Sequence, residues 1–320
     1  MTAYRKVIAR ELLIFEDKFR DAVKTPNPLL SKILRYIVKR KGKQIRPTFV
    51  FLAARLCGEV TESTYRAAAL VELLHTATLV HDDVVDDSME RRGFFSINAV
   101  WKNKIAVLVG DYLLSKGLTM SLDNKDFEVL LILSTAVKQM SEGELLQMEK
   151  SRRLNLDEQV YFEIIRNKTA SLLASSCAAG AWSASQSSEY MEKMRSFGEK
   201  TGIAFQIKDD LFDYGRENVG KPTGNDIKEK KITLPLIYTL NHCSPQQKRE
   251  LIYILKNKNR DKQKVNEVIE AVKAAGGIDY AISRMNQYRD EALEILATFP
   301  PSDARDGMED LVRYTTDRKY

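Results

Sequence analysis

The chain has 320 residues, 44% hydrophobic and 29% charged, with 50 basic and 44 acidic residues for a net charge of +6. That apolar fraction builds a sizeable core, which excludes a disordered chain, and no basic stripe with interleaved aromatics marks a nucleic-acid binder. Three scattered cysteines, Cys57, Cys177 and Cys243, exclude a disulfide framework and favour a reducing, cytoplasmic location.

Glycine (15) and proline (8) are sparse, and no proline lies between Pro47 and Pro222. A stretch of 174 residues is thus free of the strongest helix breaker, and an all-α fold is expected. Apolar residues at three- and four-residue spacing predict helices over 3–22, 28–40, 46–57 and 63–87, the last carrying Leu70, Leu73, Leu74, Ala77, Val80 and Val84. Further helices are predicted over 104–121, 126–149, 157–182 and 188–214. Shorter ones follow over 234–242, 245–257, 262–275, 278–297 and 303–316. Ser188, Ser244 before Pro245 and Ser302 before Asp303 supply start signals.

The opening MTAYRKVIARELLIFEDKF lacks the apolar segment of a secretory signal. No run approaches 18 uncharged apolar residues, so no transmembrane segment is expected. Without a repeat or a linker-like stretch, residues 1–320 read as one domain. Only GRENVGKPTGNDIKEKK (215–231) departs from the pattern. Its three glycines, proline and eight charges are too broken for a helix and predict a surface loop.

Two acidic runs stand out. HDDVVDDSMERRG (81–93) holds Asp82, Asp83, Asp86 and Asp87 within six residues. At about 100° per residue, Asp82 and Asp86 share a helical face one turn apart, where like charges repel by roughly a few tenths of a kcal/mol. A solvated acidic face is the ordinary explanation, but this run follows apolar LLHTATLV and asks for a counter-charge. QIKDDLFDYG (206–215) repeats the DDxxD spacing with Asp209, Asp210 and Asp213, 127 residues after the first. Carboxylates so arranged suit Mg2+, which takes oxygen ligands and leaves positions for phosphate and water. Zinc is disfavoured, since His75, His81 and His242 show no ligand spacing. Arg91 and Arg92 trail the first run, KGKQIRP (41–47) adds Lys43 and Arg46, Lys168 opens KTASLL, and Lys221 and Lys231 lie in the charged loop. Cations beside Mg2+ suit diphosphates.

These residues together resemble the trans-isoprenyl diphosphate synthases of the polyprenyl synthetase family, most of all its long-chain, octaprenyl-type members. DDVVDDSMERRG is similar to the family's first aspartate-rich motif with its Arg pair, and DDLFD to its second. KGKQIRP is similar to its GGKRxRP segment, with Lys41 replacing the first Gly and Gln44 a common Arg. KTASL, FQIKDD and GKPTGNDIKEKKITLP match its later blocks. The resemblance implies a single large helical bundle around a central apolar cavity, assembled as a homodimer. It implies that Asp82, Asp86 and Asp209 bind Mg2+ bridging to an allylic diphosphate primer, with Asp83, Asp210 and Asp213 in support. Arg91, Lys168, Thr169, Gln206, Lys221 and Lys231 would hold that primer. Lys43, Arg46, His75 and Arg92 would hold isopentenyl diphosphate.

The implied reaction ionises the primer, adds isopentenyl diphosphate to the allylic cation and loses a proton. It would build an octaprenyl-class chain of the kind used for quinone tails. Two rivals are a class I terpene cyclase, which binds one diphosphate, and a non-catalytic subunit of a heteromeric synthase. The second basic set argues against the former, and two whole DDxxD runs against the latter. Small Ala77 and Thr78, five and four residues before Asp82, imply an open passage for the growing tail, floored by Leu131 or Ile132. Close helix packing is the competing explanation of Ala77.

Overall fold

The computed structural model describes residues 3–39, 42, 44–91, 93–153, 157–215 and 224–317; Lys43, Arg92 and Lys221 lie outside the described residues. The helices run α1 (Ala3–Val7), α2 (Ala9–Ala22), α3 (Pro28–Lys39), α4 (Ile45–Cys57) and α5 (Glu62–Val85). A two-stranded hairpin follows, β1 (Glu90–Arg91) with β2 (Phe94–Phe95), then α6 (Ile97–Trp101), α7 (Asn103–Asp123) and α8 (Phe127–Arg153). α9 (Glu158–Ile165) passes through a π-helical turn (Arg166–Ala170) into α10 (Ser171–Ser185) and α11 (Ser188–Phe212). The chain closes with α12 (Asn225–Lys228), α13 (Leu234–His242), α14 (Pro245–Asn257), α15 (Lys262–Ala274), α16 (Gly277–Ala297) and α17 (Asp303–Asp317). The fold is all-α, as the sparse prolines require.

The chain divides into two compact units. One comprises Met1–Val137, Ser175–Arg195 and Pro300–Met308, the other Lys138–Ala174, Ser196–Phe299 and Glu309–Tyr320. Four of the five crossings fall inside helices and none in a linker-like stretch.

In the first unit, Ile33 and Leu34 of α3, Leu73, Ala77 and Val80 of α5, Ile97 of α6, and Ala106, Val109 and Leu113 of α7 form one buried cluster. A capping box between Thr61 and Thr64 starts α5. By length and mean hydropathy (1.3) α7 could cross a bilayer, contrary to the sequence expectation. Its Ala106–Val109–Leu113 face is buried, Val107, Leu108, Leu118 and Leu122 are exposed, and Asp111 and Lys116 interrupt its middle. In the second unit, Tyr161, Phe162 and Ile165 of α9 pack with Ile203 and Ile207 of α11, Leu234 and Ile237 of α13, and Met285 of α16.

Most helices lie within a few residues of their predicted spans, and the exceptions are informative. The predicted 3–22 helix breaks at Ile8, which is buried and leaves the helical region with φ −120° and ψ 26°. The hairpin and α6 were invisible to a helical period because each is too short to show one. Ser187, not Ser188, caps α11, accepting from the Tyr190 N–H at 3.3 Å. Ser244 and Ser302 cap as expected, accepting from Gln247 and Arg305 at 3.2 Å each. Within the predicted 215–231 loop, 225–228 is a helical turn, tied down from its start by Asp213.

Candidate active site

Both acidic runs sit at the C-terminal ends of helices. α5 stops at Val85 with Asp86 as its cap, so the predicted helix to 87 is two residues too long. The Asp86 N–H still closes on the Asp82 carbonyl at 2.8 Å, keeping the two one turn apart. Asp87 turns the chain away with φ 49°, a conformation Asp tolerates better than most residues. In the second unit, Asp209 and Asp210 occupy the last turn of α11, with Asp213 just beyond. A helix C-terminus carries about half a negative charge, so carboxylates there are misplaced by roughly 0.3–1 kcal/mol each. Neither helix has a basic residue in its last turn to relieve this. The arrangement is unfavourable for an empty protein and favourable for one that binds cations.

The first cluster is held from one side. Asp83 is buried, and the Arg91 Nε donates to its carboxylate at 2.7 Å; burial pushes its pKa up while Arg91 draws it down. Arg91, expected on the primer's diphosphate, is thus engaged by Asp83 in the substrate-free chain. The Asp83 carbonyl accepts from the Ser88 N–H at 2.9 Å and from Asn98 Nδ2 at 3.1 Å. Asp82 remains half-buried, while Asp86 and Asp87 are exposed. Arg46, in the first turn of α4, and His75, midway along α5, are half-buried in the same unit. Ala77 is completely buried in the α3–α5–α7 cluster, as the close-packing explanation requires, whereas Thr78 is half-buried and bonds the His75 carbonyl at 2.9 Å. Leu131 is 59% exposed, which removes it as a tunnel floor; Ile132, 2% exposed, remains.

In the second unit a cleft of about 230 Å³ brings together Lys168, Thr169, Gln206, Asp209, Asp210 and Lys231, all predicted site residues. Lys168 and Thr169 lie in the π-helical turn that interrupts the predicted 157–182 helix. Such turns place one extra residue per cycle and often mark functional positions. Two glycines admit it. A Cβ on Gly143 of α8 would meet the Lys168 backbone nitrogen at 2.9 Å, and one on Gly202 of α11 the Ala170 Cα at 2.6 Å.

A chain of hydrogen bonds crosses the cleft wall. The Thr169 hydroxyl donates to Gln206 Oε1 (2.8 Å), Gln206 Nε2 donates to Asp210 Oδ1 (2.9 Å), and the Tyr161 hydroxyl donates to Asp210 Oδ2 (2.8 Å). Burial pushes the Asp210 pKa up to about 7, against the pull of these two donors. Asp213 faces away from such a role. Its carboxylate accepts from the N–H groups of Asn225 (2.7 Å) and Asp226 (3.1 Å), anchoring α12. Asp226, raised to about 6 mainly by burial, also lines the cleft, 3.8 Å from Lys231 Nζ. Lys168 Nζ is held by Glu144 (2.5 Å) and Gln147 (3.2 Å), one turn apart on α8.

Among the described residues, no three His, Cys, Asp or Glu side chains converge closely enough to hold a metal alone. Carboxylates supplying one or two ligands each, with water and phosphate completing the shell, suit Mg2+ better than a dedicated protein cage. The donor set therefore fits the expected ion.

Sequence reasoning missed Tyr161, Asp226, Glu144, Gln147 and Asn98. Tyr161 precedes Lys168 by seven residues, about two turns, which was a usable signal. Asp226 sat in a segment read only as a loop.

Residues 27–272 match the Polyprenyl synthetase family. The chain is 35% identical over 314 residues to the all-trans-nonaprenyl-diphosphate synthase (geranyl-diphosphate specific) of Rhodobacter capsulatus, covering 97% of this chain and 96% of that one. Among solved structures, a polyprenyl synthase from Caulobacter crescentus CB15, complexed with calcium and isoprenyl diphosphate, superimposes with a TM-score of 0.91 at 32% identity, covering 99% and 98% of the two chains. A geranylgeranyl pyrophosphate synthase from Bacteroides thetaiotaomicron does so with a TM-score of 0.84 at 37% identity, covering 99% and 98%.

Proposed function

The chain belongs to the polyprenyl synthetase family, and from that premise we propose that it is a prenyltransferase joining isopentenyl diphosphate to an allylic diphosphate primer. The observation that carries this reading is the pair of carboxylate clusters at the C-terminal ends of α5 and α11, one of them beside Lys168 and Lys231 in an open cleft. Asp82, Asp86 and Asp209 hold Mg2+, while Lys168, Thr169, Gln206, Lys221 and Lys231, with Arg91 once released from Asp83, hold the primer's diphosphate. Lys43, Arg46, His75 and Arg92 hold isopentenyl diphosphate. Bound Mg2+ supplies positive charge for the diphosphate as it leaves, and charge developing in the transition state is what such a site stabilises best. Lys168 stands ready for the same task, since Glu144 and Gln147 fix its ammonium at the cleft wall. The double bond of isopentenyl diphosphate attacks the allylic cation, and the proton then lost passes to the departed diphosphate.

The product we propose is long, in the octaprenyl class, serving quinone tails, with Thr78 as the gate beside the first cluster. The working enzyme is a cytoplasmic homodimer. Val107, Leu108, Leu118 and Leu122 of α7 and Phe127 of α8 are exposed apolar residues that a second copy of the chain would cover. The decisive assay incubates the purified chain with Mg2+, labelled isopentenyl diphosphate and primers of increasing length, and sizes the products. Chains several units longer than the primer are expected. Cyclised hydrocarbon without elongation, or no turnover by this chain alone, would replace the reading with a terpene cyclase or a non-catalytic subunit.

A further inference from the structure

Two stretches of the chain are strongly basic: residues 24–55 hold nine basic and no acidic side chains, among them the Lys43 and Arg46 assigned to isopentenyl diphosphate, and a second lies in the last third of the chain. Residues 228–231 and 256–264 contain eight basic and two acidic side chains, a balance of six positive charges, equal to that of the whole chain. The two segments are physically joined in the second unit: Lys230 Nζ donates to the Lys256 carbonyl at 3.0 Å, and Asn259 Nδ2 to the Lys228 carbonyl at 2.6 Å. Lys228, Lys256, Lys258, Arg260 and Lys262 form no ion pair among the described residues, and all but Lys228 are exposed. Lys228 and Lys256 sit in the last turns of α12 and α14, where a cation is favourable, but the other end of the patch runs against its helix. Lys262 and Lys264 occupy the first turn of α15, the positive end of its dipole, where cations are unfavourable.

We propose that this patch docks the enzyme on a lipid surface bearing anionic headgroups. Exposed cations at a bilayer surface act together, each strengthening binding to acidic lipid by about fivefold. Nucleic acid is the other polyanion to consider, but the patch offers one exposed aromatic, Tyr253, and no set on which bases could stack. The choice of lipid rests on the long-chain product proposed above. Each methylene of such a tail favours hydrocarbon over water by roughly fourfold, so a released long-chain product needs a bilayer at hand. The patch also borders the chemistry. Lys231, at the end of its first segment, lines the cleft beside Asp226, and the 228–231 turn is the piece pinned to the 256–259 loop.

The test is co-sedimentation of the full chain, without substrate, with phosphatidylcholine vesicles and with vesicles containing roughly 30% phosphatidylglycerol, at low and high salt. Wild-type protein should bind only the anionic vesicles and release them as salt rises. The triple variant K256A/K258A/R260A should bind about 100-fold more weakly, while a control of equal charge change, K6A/K104A/K138A, keeps wild-type binding. Turnover with a soluble short primer should be unchanged in both, showing that they fold. Equal binding by wild type and K256A/K258A/R260A, equal loss in the control, or tighter binding to a single-stranded oligonucleotide than to the vesicles would each overturn the proposal. Because the binding arm uses no substrate, short products in the turnover assay would count against the chain-length reading alone.

Discussion

Replacing Tyr161 with Phe removes one atom, the hydroxyl oxygen that donates to Asp210 Oδ2 at 2.8 Å, and leaves the ring in its cluster. Both residues are buried, so no bulk water takes the place of the lost donor. Above pH 7 Asp210 is ionised and the bond is charge-assisted, worth about 1.5–3 kcal/mol; below it the carboxyl is protonated and the bond is an ordinary one of about 1 kcal/mol. The stability deficit of the variant should therefore grow by about 1 kcal/mol or more as the pH rises through 7. At about 1.5 °C per kcal/mol for a chain of this length, melts near pH 8 should fall by about 2–5 °C, and less near pH 5.5. If the same bond aims Asp210 during turnover, kcat/KM at the higher pH drops by up to about 10- to 150-fold. Thermal melts and steady-state kinetics at the two pH values test this together. A deficit that is absent, or equal at both, would refute the claim that Tyr161 holds an ionised Asp210.

Three further outcomes follow from the same geometry. Asp82→Ala and Asp209→Ala should each reduce turnover by orders of magnitude, while metal-free melts stay level or rise, because each removes a carboxylate from a helix C-terminus worth about 0.3–1 kcal/mol of repulsion. Near wild-type turnover in either would end the metal assignment. Thr78→Phe should shorten the product while the chain stays stable. Ala77→Phe, forced into a packed cluster, should cost about 1–3 kcal/mol first; product sizing and denaturant melts separate the two. Finally, Asp210 and Asp226, raised to about 7 and about 6, favour the metal-free fold most at low pH, and that contribution fades as pH rises from the unfolded carboxylate value through 7. Mg2+ added near pH 6.5 should thus release protons, seen as a buffer-dependent heat in calorimetry; buffer-independent heats would contradict the raised values.

Much of this was legible in the chain. Helices longer than about ten residues announce themselves through apolar spacing, and the DDxxD runs were found because carboxylates in apolar helices need a reason. What stayed hidden is local or long-range. The π-helical turn at Lys168 depends on Gly143 and Gly202 of two other helices, which no window around residue 168 contains. Arg91's attachment to Asp83 depends on a hairpin of two-residue strands. The spacing of Tyr161 to Lys168 hints at the site, but its bond to Asp210, 49 residues on, belongs to the fold. Ala77 was ambiguous because a small residue serves a tunnel and a tight helix contact equally well.

Carboxylates gathered at the negative ends of α5 and α11 also bear on which ion the protein accepts. A strained anionic site is relieved by any divalent cation that reaches it, so charge alone cannot discriminate between magnesium, manganese and calcium. Selection must come later, from coordination number and bond length. A small octahedral ion draws carboxylate and diphosphate oxygens to about 2.0–2.1 Å, whereas a larger one holds them at about 2.3–2.6 Å with extra ligands. On the proposed reading occupancy and competence would be separate properties: an ion of the wrong size would fill the site and steady the fold without matching the geometry the reaction needs.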